Sequence, residues 1–208
     1  PFIVKPVSGR ASLHVTFVHS ILQLRDAIAS VTAVTRAPVL IERYLGGAEY
    51  CVAICGPVVA RGGVLTKAEE PLVFSALERR FAPGEPIFTS MDVKPISEER
   101  ARLLDPVLDR AAWTQLARIA HAVFAQFGIE TLIRLDIRAD QDGNMFVLEA
   151  NPKPDLKAPA PGVTSLVSIG LEQHGMTYDD LILSLFANRI ERLLADKHET
   201  ISRLAGVS

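Results

Sequence analysis

Cysteine is scarce in these 208 residues, and no excess of charge of one sign builds up anywhere along them. The two cysteines, Cys51 and Cys55, lie four apart in Tyr50-Cys-Val-Ala-Ile-Cys55. That is too far along one strand to bridge easily, and a zinc site would need a second pair. Strand alternation puts both on one face, so they read as buried, reduced thiols of a cytoplasmic protein. Lys and Arg number 22 against 24 Asp and Glu, a net charge of −2. This excludes a basic field for nucleic acid and an acidic tail. Apolar runs are strand-length at most, so none is a membrane-spanning helix, and there is no repeat, low-complexity tract or signal-peptide pattern. What remains, 49% hydrophobic and 22% charged, is the composition of a soluble globular chain with a real core, as one large domain or two small ones. The chain opens without Met on the apolar run Pro1-Phe-Ile-Val4, a buried-strand pattern that leads us to expect further sequence upstream.

Read in order, Phe2 to Lys5 is a strand, Pro6 to Ser12 a loop of small residues, and Leu13 to Val18 a second strand. Ser20 to Val34 has helical apolar spacing, with Ser20 as N-cap. Pro38 to Leu45 is a strand ending at Gly46-Gly47, and Glu49 to Ile54 and Pro57 to Val64 are two more. Lys67 to Ser90, with Pro71, Pro83, Gly84 and Pro86, reads as a long, partly ordered loop. Ser97-Glu-Glu-Arg100 opens a helical stretch that restarts near Pro106 and ends at Gly128, with Trp113, Phe124 and Phe127 as core and His121 as a packed histidine. Four prolines deny regular structure to 152–162, and Thr177-Tyr-Asp-Asp180 has the form of a capping box before an amphipathic helix through Leu194. His14, His19, His174 and His198 share no metal-ligand spacing. Without clean βαβ alternation, this order is α+β.

The most informative segment runs from Thr131 to Asn151, two strands joined at Asp142-Gly143, a strong hairpin signal. With that turn, Asp136 stands opposite Glu149 and Arg134 opposite Asn151, while Leu135, Ile137, Leu148 and Ala150 face the other way. Opposed carboxylates repel, and a hard cation such as Mg²⁺, which takes oxygen ligands, removes the repulsion. A solvated face neutralised by Arg134 and Arg138 remains the alternative at this point.

Five segments in order resemble the ATP-grasp superfamily, most closely the C-terminal, nucleotide-binding part of the D-alanine–D-alanine ligase family, over nearly the whole chain. They are Val4-Lys5-Pro6 with its Ser/Gly loop, Val39 to Glu49, Phe74 to Phe81, the hairpin with Arg134-Leu-Asp136 and Leu148-Glu-Ala-Asn151, and Thr164-Ser-Leu166 followed by Gly175 to Ile182. The resemblance implies an ATP-grasp fold of two α+β subdomains, 1–56 and 57–208, clasping the nucleotide, with no N-terminal substrate domain in the chain. It implies Lys5 and Ser12 at the ATP phosphates, and Glu42, Arg43, Leu45 and Glu49 at adenine and ribose. Phe74 to Phe81 would be the loop closing over the phosphates through Arg80. Asp136, Glu149 and Asn151 would hold Mg²⁺, with Arg134 and Ser165 at the reacting groups. Read without the resemblance, Lys5 is a snorkelling surface lysine, Glu42 and Glu49 are exposed strand-end carboxylates, and Arg134 is a counter-ion to Asp136.

The implied activity is ATP- and Mg²⁺-dependent ligation of a carboxylate to an amine through an acyl phosphate, on small amino-acid-like substrates, in an assembly that admits a homodimer and no nucleic acid or membrane. Departures from the family pattern surround the acceptor side. Arg80-Phe81 stands where the family has lysine then tyrosine, and the turn after Asn151 is the longer, proline-rich 152–162, where Lys153 is a candidate for a substrate carboxylate. The phosphate loop keeps only Gly9. A pair of D-alanines is therefore not the expected substrate. The rival readings are a nucleotide-binding module without catalysis of its own, and phosphate transfer to a non-carboxylate acceptor.

Overall fold

The computed structural model describes residues 1–9, 12–81, 84–86, 100–159 and 165–204, with side chains to residue 197. The expectations at Ser97 to Glu99, at 160–162, at Thr164 and for the side chain of His198 lie outside the described residues. Strand β1 (Phe2–Pro6) is the centre of a three-stranded antiparallel sheet, between β2 (Thr16–Val18) and β3 (Val39–Arg43). Helix α1 (Leu24–Thr35) covers it, closing Val31 onto Val4 and Val18. β2 is shorter than the Leu13 to Val18 expected, because Ser12 and His14 take φ of 56° and 63° and turn the chain there. Nor does Ser20 cap the helix through its side chain. A 3₁₀ turn at Ile21–Gln23 intervenes before α1.

Past 44–48 the chain enters a second sheet. Its strands are β4 (Glu49–Cys55), β7 (Leu72–Arg79), β8 (Ala101–Leu103), β9 (Leu132–Ala139) and β10 (Met145–Asn151), ordered β10-β9-β4-β7-β8 and antiparallel throughout. β4, which the sequence reading grouped with residues 1–56, pairs on both sides inside this larger sheet. Between β4 and β7 lies a separate hairpin, β5 (Val58–Arg61) and β6 (Val64–Lys67). It replaces the single strand expected over Pro57 to Val64, because Gly62 and Gly63 take φ of 57° and 77°, the two positive angles of a tight hairpin turn.

β7 is the main correction. The stretch read as loop, including the Phe74 to Phe81 segment expected to close over phosphates, holds a strand at the heart of the sheet. Its alternation is hidden by a bulge. Ala53 and Cys51 on β4 face Phe74 and Leu77, so β7 carries an extra residue there, and Ser75 sits at φ 51°. Ser75 Oγ donates to Val167 O and accepts from Gly170 N at 2.8 Å, which stabilises the unusual backbone. The bulge leaves Val73 and Ala76 on one face and Phe74 and Leu77 on the other. Three-residue spacing of that kind carries no strand signature.

One face of the sheet packs Val52, Ile54, Ile133, Leu135 and Ile137 under Leu116, Ala120 and Phe124 of α2 (Arg110–Gln126). Phe127, expected in the core, is 71% exposed past the end of this helix. Ala101–Leu103, expected as helix, pairs as β8 at the sheet edge. The other face packs Ala53, Phe74 and Leu132 under Val167, Leu171, Met176 and Leu181, the last on α3 (Tyr178–Leu204), which runs ten residues beyond the expected Leu194. Among the described residues no helix is long and apolar enough to cross a membrane.

The capping box forms as expected. Thr177 N donates to Asp180 Oδ2 at 2.9 Å, and Asp180 N to Thr177 Oγ1 at 3.1 Å. Gly63 N also donates to Asp180 Oδ1 at 2.8 Å, tying the β5–β6 hairpin to α3. The backbone donors at Thr177 and Gly63 lower the Asp180 carboxyl from 3.8 to about 2. A depressed carboxylate contributes stability that is complete above its unfolded value and lost as pH falls from there through its folded value. Melting temperature should therefore decline between about pH 4 and pH 2, and Asp180→Asn should flatten that part of the profile. Coincident profiles for the two proteins would show that the cap contributes nothing.

Candidate functional site

The hairpin brings its polar groups together, by a route different from the one expected. The turn spans Asp140 to Asn144, with the Asp140 carboxylate accepting from Asp142 N, Asn144 N and Asn144 Nδ2 at 2.9–3.0 Å. That pairs Met145 with Ala139, one residue out of the predicted register. A bulge between Val147 and Glu149 restores it, so Asp136 pairs with Glu149 and Arg134 with Asn151, as the tighter turn predicts. Leu148, at the bulge, lines the cleft instead of facing away.

Arg134 forks onto Asp136, Nε to Oδ1 and Nη2 to Oδ2, both 3.0 Å. The counter-ion reading of Arg134 is thus realised. Cys51, directly opposite Asp136 on β4, donates its thiol to Asp136 Oδ1 at 2.9 Å. Both thiols are buried and unbridged, and burial pushes them up, Cys55 to about 12. The Asn151 amide lies between Glu149 and Arg134, one end 2.8 Å from Glu149 Oε1 and the other 3.1 Å from Arg134 Nη2. Hydrogen bonding turns its nitrogen to Glu149 and its oxygen to Arg134. Among the described residues, no three His, Cys, Asp or Glu side chains gather as a metal cage. The candidate set is two carboxylates and an amide.

Two residues along, a second charged group crosses three strands. Glu49 on β4 is flanked by Arg79 on β7 and Arg138 on β9, each directly opposite it. Arg79 Nη1 donates to Oε1 at 2.7 Å and Arg138 Nη1 to Oε2 at 3.3 Å. Glu49 is only 5% exposed. Burial raises its carboxyl, against the opposing pull of both guanidiniums. Arg138 is further held between the rings of Tyr44 and Phe81, 4.8 Å from each centroid. Its Nη2 donates to Tyr44 Oη at 2.9 Å and Pro86 O at 3.0 Å.

The two sheets face one another across a cleft of about 620 Å³. From the smaller sheet and its loops it is lined by Lys5, Gly9, Ser12, Glu42 and Arg43, and from the connection by Tyr44 and Leu45. From the larger sheet come Glu49, Arg79, Asp136, Arg138, Leu148 and Glu149. Lys5 pairs with Glu42 at 2.6 Å, and the Arg43 guanidinium lies 5.9 Å from the Phe146 ring centroid. Of the residues singled out from sequence, Lys5, Ser12, Glu42, Arg43, Leu45, Glu49, Asp136 and Glu149 line this space, with Arg134 and Asn151 touching its acidic end. Arg80 is exposed and does not line it. Ser165 is 2% exposed, its Oγ donating to Asp155 O at 3.0 Å. Arg79, Arg138 and Cys51, none of them an expected nucleotide or metal residue, also belong to the site. Their positions follow from which strands lie side by side, which no local pattern reveals.

A small and a large antiparallel sheet facing across a lined cleft make this an ATP-grasp fold, the fold of the solved structures it superposes on. The D-alanine–D-alanine ligase of Bacillus anthracis complexed with ATP matches with a TM-score of 0.65 at 17% identity, over 94% of this chain and 54% of that one. The Coxiella burnetii enzyme matches with 0.65 at 17%, over 100% of this chain and 50% of that one. The family model described as D-ala D-ala ligase C-terminus matches residues 1–187, and the chain belongs to that family. The D-alanine–D-alanine ligase of Nitrosococcus oceani is 29% identical over 196 residues, 92% of this chain and 54% of that protein. That of Pseudomonas putida is 28% identical over 193 residues, 91% and 52%. The chain spans about half the length of these curated relatives.

Proposed function

We propose that the cleft binds ATP with Mg²⁺ and that the chain provides the nucleotide half of a carboxylate–amine ligase, with residues 1–43 and 49–204 as the two clasping lobes. The observation that carries this reading is the joint register of β9 and β10, which sets Asp136, Glu149, Asn151 and Arg134 at one end of a cleft whose volume suits a nucleotide. The donor set fits Mg²⁺. Two carboxylates and an amide oxygen are the hard donors that such a cation takes, and the Asn151 amide lies 2.8 Å from Glu149 Oε1. The cation, when bound, neutralises phosphate charge during transfer. Arg134 beside it supplies a fixed positive charge for the oxygen that gains charge as an amine displaces phosphate from an acyl phosphate. Lys5 and the Ser12 loop offer charge and donors to phosphate oxygens from the opposite sheet.

The proposed substrates are small, amino-acid-like acids and amines. ATP titrated into the protein should bind with heat that depends on Mg²⁺, and phosphate release should require an acid and an amine together. Binding without turnover would favour the rival reading, a nucleotide-binding module without catalysis of its own. No Mg²⁺-dependent binding at all would defeat both.

A further inference from the structure

We infer that Arg138 is a positioning residue that holds Glu49 as the acceptor for the sugar hydroxyls of the nucleotide, an inference that rests on the ATP reading above. A carboxylate repels phosphate oxygens and can meet only donors. A nucleotide carries donors on its ribose hydroxyls and its base amine. Glu42 is already committed to Lys5 at 2.6 Å. Asp136 and Glu149 stand opposite one another at the acidic end of the cleft, the first forked by Arg134 and the second beside the Asn151 amide. Glu49 is the remaining floor carboxylate, buried to 5% exposure, and each of its oxygens takes one guanidinium N–H and keeps a further lone pair.

Burial works against such an acceptor, because a desolvated carboxyl tends to take up a proton and its terminal torsion is soft. Arg79 alone would hold Oε1 and leave the group free to rotate. Arg138, directly opposite on the other neighbouring strand, takes Oε2 and so sets the plane of the carboxylate. It can do so because it is itself fixed, stacked between Tyr44 and Phe81 and donating to Tyr44 Oη and Pro86 O. Only 6% of Arg138 is exposed, and both its Nη atoms face protein acceptors. Although it borders the cleft, these bonds turn its donors onto protein groups, and its effect on the sugar is exerted through Glu49. Tyr44 belongs to the connection between the sheets, so the same guanidinium also sets the wall of the cleft beside the sugar.

The test is calorimetric affinity of the 208-residue chain for ATP, 2′-deoxy-ATP and 3′-deoxy-ATP in the presence of Mg²⁺. The parent protein should prefer ATP over at least one deoxynucleotide by about tenfold, the value of one charge-assisted hydrogen bond. Arg138→Leu should weaken ATP by about the same factor and leave that deoxynucleotide within about twofold, erasing the preference, while Arg138→Lys should restore part of it. Tyr44→Phe keeps the ring under the guanidinium and removes one anchor of Arg138. It should narrow the preference about threefold, and it gives a milder variant should Arg138→Leu not fold. Equal weakening of all three nucleotides, or a preference that survives both substitutions, overturns the inference while leaving the ATP site standing. A parent protein that binds no ATP overturns both.

Discussion

Asp136→Asn is expected to lower Mg²⁺-supported ATP affinity by at least about 100-fold, since even groups one shell removed from a metal cost 10–100-fold when lost. The substitution keeps the shape of the side chain and one oxygen for Arg134, so the fold should survive with a melting temperature a few degrees lower, the shift expected from about 1–2 kcal/mol. It removes one of the two negative charges that face each other across the hairpin. The diagnostic is the difference between titrations with Mg²⁺ and with EDTA. Asp136→Asn should bring the two together, because what is lost is the part of affinity that the cation supplies. Cys51→Ala is the informative contrast, since it removes only the thiol that donates to Asp136 Oδ1 and should reduce Mg²⁺-supported affinity by less than about tenfold. If Asp136→Asn retains the full Mg²⁺ dependence, the hairpin is a solvated face and the proposed cation lies elsewhere.

How much of this could be read from the chain differs by scale. The site end of the hairpin is legible only because two departures cancel, since a one-residue slip by itself would set Asp136 against Leu148. The real loop at Asp140 to Asn144 slips the register by one, and the bulge before Glu149 takes the slip back. Lys5, Glu42, Leu45 and Glu49 were legible as members of a resembling pattern, although only the three-dimensional pairing shows that Glu49 sits between two arginines. β7 was illegible for a local reason, since the bulge at Ser75 replaces two-residue alternation by three-residue spacing. The expected helix over Ala101–Leu103 failed because edge pairing to Leu77, Glu78 and Arg79 decides that segment, and its partners lie more than twenty residues away. The resemblance points to Arg80, which stands where the family has lysine, yet its neighbour Arg79 is the one whose strand parity points into the cleft.

Gly47→Ala is expected to destabilise the protein by about 2–4 kcal/mol, some 5–15 °C in melting temperature for a domain of this size. The reason is space. A Cβ at Gly47 would lie 2.7 Å from Ala139 O and closer still to Asp140 O, both backbone atoms that cannot swing aside. Gly47 N also donates to Ala139 O at 2.9 Å, so moving the connection away from β9 breaks that bond as well. Gly46 is the control. A Cβ there comes no nearer than 3.4 Å, to the flexible Gln141 side chain, and Gly46→Ala should change stability by less than about 0.5 kcal/mol. The consequence reaches the cleft, because Gly47 stands between Leu45 and Glu49, both of which line it, and Ala139 follows Arg138 on β9. ATP affinity should therefore fall in Gly47→Ala and hold in Gly46→Ala. Parallel behaviour of the two variants, in melting and in nucleotide affinity, would mean that the connection tolerates displacement and does not set the distance between the sheets.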